Sequence, residues 1–303
     1  MSYESLILES NPYAYWRLQE ESGETAYDAV GNYDGIYYNN PILGVTGPFG
    51  KAAEFIFDYD NDIYSCVILG TLGHLGSNLA AGISIECWAK PTYNDTNLIF
   101  FSLNDGEEFC LSAFGISDAT AYDPPGTRCD VSWVICDANC DNVSGDNSLN
   151  PTSKNLYDGN WHHIVLTWDG TSDVTKLYID GELNKESNVY ESVIPSVFVD
   201  FLIATMPGLI SFGEESNMGY SGQMAEMAIY NRSLTLEEIV THFEYINPVP
   251  PPPITKLPVT VCDCDIATQV TRFKCMIPTR HCTCWKKIKG AWVASITVCI
   301  QNL

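Results

Sequence analysis

The stretch "HHIVLTWDGTSDVTKLYIDGEL", residues 162–183, constrains the fold of this chain more than any other. Successive side chains on a β-strand point to opposite faces. Ile164, Leu166 and Trp168 therefore share one face with His162, while His163, Val165 and Thr167 share the other. The run "TKLYID" ends at Asp180-Gly181, a favoured pair for the two-residue hairpin turn, whose central residues both need positive φ. The segment reads as a meander of antiparallel strands. Adjacent histidines on a regular strand cannot both reach one metal ion, so His162 and His163 are expected to be structural.

The same patterning recurs along the chain in "AYWRLQE", "AAEFIFD", "ISIECWAK", "NLIFFSL", "VSWVICD", "FVDFLIAT" and "AEMAIYN", with turn signals between the runs. Many short strands at such spacing predict an all-β fold, a two-sheet antiparallel sandwich or jelly roll. One helix is predicted over "SLTLEEIVTHFEY", with Ser233 or Thr235 as its cap and Glu237 and Glu238 in the first turn. Residues 117–155 form an insertion rich in Asp and Asn around the strand "VSWVICD". No apolar run reaches the 18 residues of a membrane-spanning helix. The opening "MSYESLILESNPYAYW" has neither a basic start nor a long apolar stretch, and is not expected to be a signal peptide.

A break falls at "NPVPPPPITKLP", residues 247–258, whose prolines favour extended geometry and a semi-rigid spacer. The expected organisation is a jelly roll over residues 1–246, the linker over 247–258, and a small Cys-rich domain containing β-strands over 259–303. Charge divides at the same place. From Ile254 onward there are seven Lys or Arg against Asp263 and Asp265, a surplus of five positive charges, while the remainder holds eight basic against 36 acidic residues, or −28. A surface this acidic repels nucleic acid and anionic membranes, so neither is expected as a partner. It also favours cations, calcium first, because hard carboxylate oxygens suit that ion.

Six of the 12 cysteines lie between Cys66 and Cys140 and six between Cys262 and Cys299. The C-terminal set holds two Cys-x-Cys pairs, Cys262 with Cys264 and Cys282 with Cys284, besides Cys275, Cys299 and His281. Three states are open to it: four thiolates around a tetrahedral zinc, disulfides that staple a short unit, or free thiols. Cysteine usage leaves the redox compartment ambiguous.

Five blocks in order resemble the laminin G-like jelly rolls of the concanavalin A-like lectin and glucanase superfamily: "NPYAYWRLQEESGETAYDAVGNYDGIYYN", "AAEFIFDYDNDIY", "ISIECWAKP", "DGNWHHIVLTWDG" with "KLYIDGEL", and "GQMAEMAIYNRSLTLEEIVTHF". The resemblance implies a two-sheet sandwich, often with a structural calcium and often carbohydrate-binding. Candidate calcium ligands are Asp28, Asp58, Asp60, Asp62 and Glu226. Where the family usually reads Ile-Asp-Glu before the last strand, this chain has Met224-Ala225-Glu226, which removes one probable ligand.

Catalysis has no visible seat. The superfamily's glucanases carry paired carboxylates on one strand, as Glu-x-Asp-x-x-Glu or a close variant, and no such string occurs here. Nor is there a Gly-x-Ser-x-Gly or His-Glu-x-x-His motif. In the C-terminal part, "CWKKIKGAWVAS" resembles an aromatic-x-Lys-x-x-Gly-x-Trp strand motif of phage tail and fibre proteins. The expected function is a non-enzymatic phage virion appendage, a fibre or capsid-decorating protein, whose acidic jelly roll meets host-surface glycans. Its basic end would join capsid, tail or fibre proteins or copies of itself, making a homo-oligomer. A secreted or cell-surface bacterial carbohydrate-binding protein and a glycan hydrolase with an unrecognised site are the alternatives.

Overall fold

The computed structural model of the chain describes residues 2–58, 61, 63–70, 72, 82–93, 98–104, 110–116, 130–136, 144–146, 154–172, 174–188, 200–204, 219–246, 273–275, 281–288 and 291–298. The chain divides into two compact units, Met1–Pro248 and Val249–Leu303.

The first unit is an antiparallel sandwich of two eight-stranded sheets. One sheet carries, in spatial order, β16 (Glu182–Asn188), β15 (Val174–Ile179), β14 (His162–Asp169), β9 (Ile83–Pro91), β18 (Gly222–Tyr230), β5 (Gly50–Phe55) and β4 (Ile42–Gly47), with β1 (Ala14–Trp16) pairing on β18. The other runs β13 (Ser144–Asp146), β12 (Asp130–Cys136), β11 (Cys110–Ile116), β10 (Leu98–Asn104), β17 (Asp200–Ile203), β8 (Cys66–Gly70), β3 (Gly35–Tyr38) and β2 (Thr25–Ala26). A two-stranded ribbon, β6 (Phe57–Asp58) with β7 (Ile63–Tyr64), stands apart. The all-β, two-sheet architecture expected from the alternating runs is the one observed.

Between the sheets lies a core that includes Trp16, Phe55, Val67, Ile85, Phe101, Ile164, Leu166, Phe201 and Met227. Full burial of each such side chain contributes about 1.5–3 kcal/mol. The far face of the first sheet is buried too, under two helices. Tyr15, Trp88, Val165, Tyr178 and Tyr230 of that face pack with Tyr3 and Ile7 of α1 (Tyr3–Glu9) and with Ile239 of α2 (Leu236–Glu244). This double coverage is why β9 and β14 are buried along almost their whole length.

α2 begins where the sequence placed it, with Thr235 rather than Ser233 as the cap and Glu238 completing a capping box. α1 was not expected. It is seven residues long and capped by Ser2, whose side chain accepts from Ser5 N–H. The turn at Asp180 and Gly181 has φ of 54° and 75°, the positive values that joining β15 to β16 demands. A bulge interrupts β18 between Ala225 and Ala228, with Glu226 at φ 56°. An extra residue shifts the phase of a strand, so Met224 and Met227, three apart, both enter the inter-sheet core.

In the second unit β19 (Phe273–Cys275), β20 (His281–Ile288) and β21 (Ala291–Val298) form a three-stranded antiparallel sheet. The two strands expected from "CWKKIKGAWVASITVCI" are β20 and β21. The linker prolines lie outside the described residues.

Candidate functional site

A cleft of about 240 Å³ opens at the margin of the sandwich where the chain passes from β3 to β4. Glu21, Ser22, Gly23 and Glu24 line one side, and Tyr37, Asn40, Pro41 and Leu43 the other. Its shape follows from local backbone chemistry. Asn39 and Asn40 both take positive φ, 54° and 52°, which asparagine tolerates better than most residues. The chain can thus turn at once after β3. Gly44, at φ 76°, lies so close to Glu21 that an added Cβ would sit 3.2 Å from the Glu21 Cα, and this contact brings the two walls together.

At the back of the cleft the buried Tyr37 hydroxyl donates to Glu20 Oε2 at 2.6 Å, while Glu20 Oε1 accepts from Tyr27 N–H at 3.0 Å. Tyr37 N–H donates to the Glu24 carbonyl at 2.8 Å. The Tyr37 hydroxyl is held well above the usual tyrosine range by burial and then by the Glu20 carboxylate, so it remains a donor. Around it, the exposed side chains of Glu21, Glu24, Ser22 and Asn40 stand beside the apolar Pro41 and Leu43. Carboxylates, an amide and a hydroxyl, all able to hydrogen-bond, thus stand against an apolar wall. The cleft is smaller than the ~300–1,000 Å³ of pockets that enclose a drug-sized ligand. The sequence reading missed it. Its one signal was "YNNP", a turn cluster.

The second polar concentration is buried. Glu86, on the helix-covered face of β9, accepts from His163 Nε2 at 2.8 Å, from His242 Nδ1 of α2 at 3.1 Å and from the Tyr230 hydroxyl. His242 Nε2 shares a 2.9 Å hydrogen bond with Ser10 Oγ, just beyond α1. Burial would raise the Glu86 pKa, but His242 and then His163 outweigh it and hold the carboxyl well below its usual range. Burial would lower His242, yet Glu86 foremost holds it above the usual imidazole value. Glu86 and His163 are fully inaccessible and His242 is 1% exposed, so the cluster ties helix to sheet and meets no substrate.

His162 and His163 lie on a regular strand, as expected, and their rings serve different partners. His162 Nδ1 is 3.0 Å from Asp180 Oδ2 and its Nε2 is 3.0 Å from Asp158 Oδ1. Burial works against its charge, but these two carboxylates prevail and raise its pKa.

Of the expected calcium ligands, Asp28, Asp58 and Glu226 are each engaged by donors of the protein itself. Asp28 accepts four backbone N–H groups, from Tyr15, Val30, Asn32 and Tyr33, at 2.8–3.0 Å. Glu226 is 1% exposed and accepts from the Tyr15 hydroxyl and from Gln19 Nε2 at 2.6 Å, with Arg17 at 3.5 Å. A cation at either carboxylate would compete with every one of these donors. Asp58 caps its own turn, accepting from Asn61 N–H and Nδ2 at 3.2 and 2.7 Å. Among the described residues there is no group of three or more His, Cys, Asp or Glu side chains that could hold a metal ion. Asp60, Asp62, Cys262 and Cys264 lie outside the described residues. Cys282 and Cys284 are on β20, in register with Cys275 and Phe273 of β19.

Two antiparallel sheets over a shared apolar core define a β-sandwich of jelly-roll type. The family model for laminin G-like domains of the concanavalin A-like lectin/glucanases superfamily matches residues 69–240, and the chain belongs to that superfamily. A search of curated proteins returned no match. Among solved structures, domain 4 of AbnA, an extracellular GH43 arabinanase from Geobacillus stearothermophilus solved with arabinotriose, is 16% identical. It superposes with a TM-score of 0.50 over 76% of this chain and 97% of that domain. The binding domain of botulinum neurotoxin serotype D/C is 14% identical, with a TM-score of 0.54 over 79% of this chain and 53% of that one. At such identities the likeness is one of fold.

Proposed function

We propose that the jelly-roll unit binds glycans without cleaving them, at the cleft between Glu21–Glu24 and Tyr37–Leu43. The cleft itself carries this reading: exposed hydroxyl-bonding groups and an apolar wall face one small recess. A complex of AbnA domain 4 with arabinotriose supports it by analogy of fold. The non-enzymatic part is supported by the placement of two of the buried carboxylates. Glu86 and Glu226 are buried and spent on protein donors, whereas glycoside hydrolysis needs two carboxyl groups flanking an accessible bond.

The wider setting we propose is a phage virion, in which this chain is a fibre or capsid-decorating protein presenting the acidic unit to host-surface glycans. Its basic C-terminal part and the Trp285–Trp292 strand motif support that setting.

A glycan array probed with the full chain tests the binding, followed by the variants Asn40→Gly, which keeps the positive φ of that turn residue, and Glu24→Ala. Both residues are exposed, so the fold is expected to survive. Binding by the parent, weakened about tenfold or more in the variants, is the expected result; each charge-assisted hydrogen bond contributes ~1.5–3 kcal/mol. An array without any bound glycan would overturn the reading, and undiminished binding by both variants would remove the cleft from it. Mass spectrometry of purified particles tests the setting, which fails if the chain is absent from them.

A further inference from the structure

The second sheet sets one cysteine directly against another. Cys110, the first residue of β11, is the register partner of Cys136, the last residue of β12. The same pairing recurs in the second unit, where Cys275 of β19 is the partner of Cys282 of β20. The cysteines of the sandwich core are placed differently. Cys66 stands opposite Tyr38 and Cys87 opposite Ile164, and both are free thiols.

Directly opposed residues of an antiparallel pair have Cα atoms ~4.5 or ~5.5 Å apart, according to the hydrogen-bonding position they occupy. Both separations fall inside the ~4.4–6.8 Å that a disulfide spans, and opposed residues share one face of the sheet. Backbone register alone therefore sets the two Cα atoms at a separation that a disulfide spans.

The position also gives a crosslink something to do. β11 and β12 are joined through residues 117–129 at one end, and Cys110 with Cys136 closes the other, the open end at which a strand pair frays. Pairs of strands are marginal unless they bury an apolar face, and β12 lies within the Asp- and Asn-rich insertion of residues 117–155. A covalent tie at the open end fixes the register of β11 against β12.

We infer that Cys110 and Cys136 form a cross-strand disulfide in the mature protein. The chemistry is thiol–disulfide exchange with a low-molecular-weight disulfide such as oxidised glutathione. One cysteine thiolate attacks the glutathione disulfide and releases one glutathione thiolate; the second then displaces the other glutathione from the mixed disulfide. Two protein thiols are oxidised to one disulfide, and one oxidised glutathione becomes two reduced. A bond of this kind places the working protein in an oxidising environment, which cysteine usage in the sequence left ambiguous.

Peptide mapping of the full chain tests it. The purified protein is equilibrated in an excess of oxidised over reduced glutathione, quenched in acid, and denatured with N-ethylmaleimide to cap remaining thiols. Cleavage before Asp105, Asp118, Asp130 and Asp137 isolates Cys110 on residues 105–117 and Cys136 on residues 130–136, apart from Cys129 and Cys140. The expected result is one species joining these two peptides, which reduction separates. Cys66, whose thiol burial pushes up to about 12, and the equally buried Cys87 are the internal reference and are expected to carry maleimide. Maleimide on both Cys110 and Cys136, or either one linked to a different cysteine, would overturn the inference.

Discussion

Glu86 is the residue on which most of the hidden chemistry depends. It sits in "ISIECWAK", a strand otherwise apolar at its inner positions, and a lone carboxylate there is costly unless it is paired and hydrogen-bonded. That much was legible. Its partners, His163 on β14, Tyr230 on β18 and His242 on α2, lie 77 to 156 residues away, and strand alternation says nothing about which neighbour a side chain will meet. Removing Glu86 with Ala leaves two buried imidazoles and a tyrosyl hydroxyl without their acceptor. The expected loss is about 3–5 kcal/mol, the cost of breaking a buried charge pair from one side, measured by urea denaturation; a loss below about 1 kcal/mol would show that the cluster does not bind α2 to the sheet.

Two buried histidines set a pH dependence. His242 and His162 both have folded pKa values above the unfolded value of about 6.5. Glu86 of β9 with Glu238 of α2 raises the first, against Arg232, and Asp180 with Asp158 raises the second. A raised histidine contributes stability that is complete below the unfolded pKa and is lost as pH rises through the folded one. Melting is therefore expected to fall as pH rises above the unfolded value of about 6.5, less steeply in His242→Gln. A midpoint that climbs over that range in the parent would contradict the sign.

At the scale of elements, success and failure in reading the sequence follow from length and coverage. β14, β15 and α2 are long, strongly patterned and bounded by turn or capping residues, and all three were readable. α1 is short for helical periodicity to declare itself, and "YESLILE" alternates almost as well as it repeats every three or four residues. β4 was missed because its burial has no period of two; it is an edge strand with intermediate exposure along most of its length. The cleft was missed with it, since one wall depends on the β3 to β4 turn. The hairpin at Asp180-Gly181 permits a quantitative check. Gly181 has φ 75°, and an added Cβ would meet the Phe243 ring of α2 at 3.2 Å. Gly181→Ala is expected to cost about 1–2 kcal/mol from the left-handed backbone alone. A neutral substitution, read from the chemical denaturation midpoint, would mean that the turn relaxes away from this geometry.

Across the whole molecule the governing fact is the opposition of charge between the two units. The first carries −28 and the second, residues 249–303, carries +5. Self-repulsion makes the acidic surface a poor site for contact between copies at low ionic strength. The second unit is small, and a domain of its size seldom buries enough apolar surface to stand unaided; it gains stability from crosslinks, a metal or association. Association among copies, if it occurs, therefore belongs to residues 249–303, while residues 1–248 hold two apolar clusters of their own and need no partner to fold. Light scattering is expected to give an oligomeric mass for the full chain and a monomeric mass for residues 1–248, with the fragment keeping a cooperative melt. Equal monomeric masses would leave the C-terminal unit without its assembly role, and an oligomeric fragment would move that role onto the sandwich, whose acidic surface would then have to be bridged by cations and whose assembly would fail in chelator.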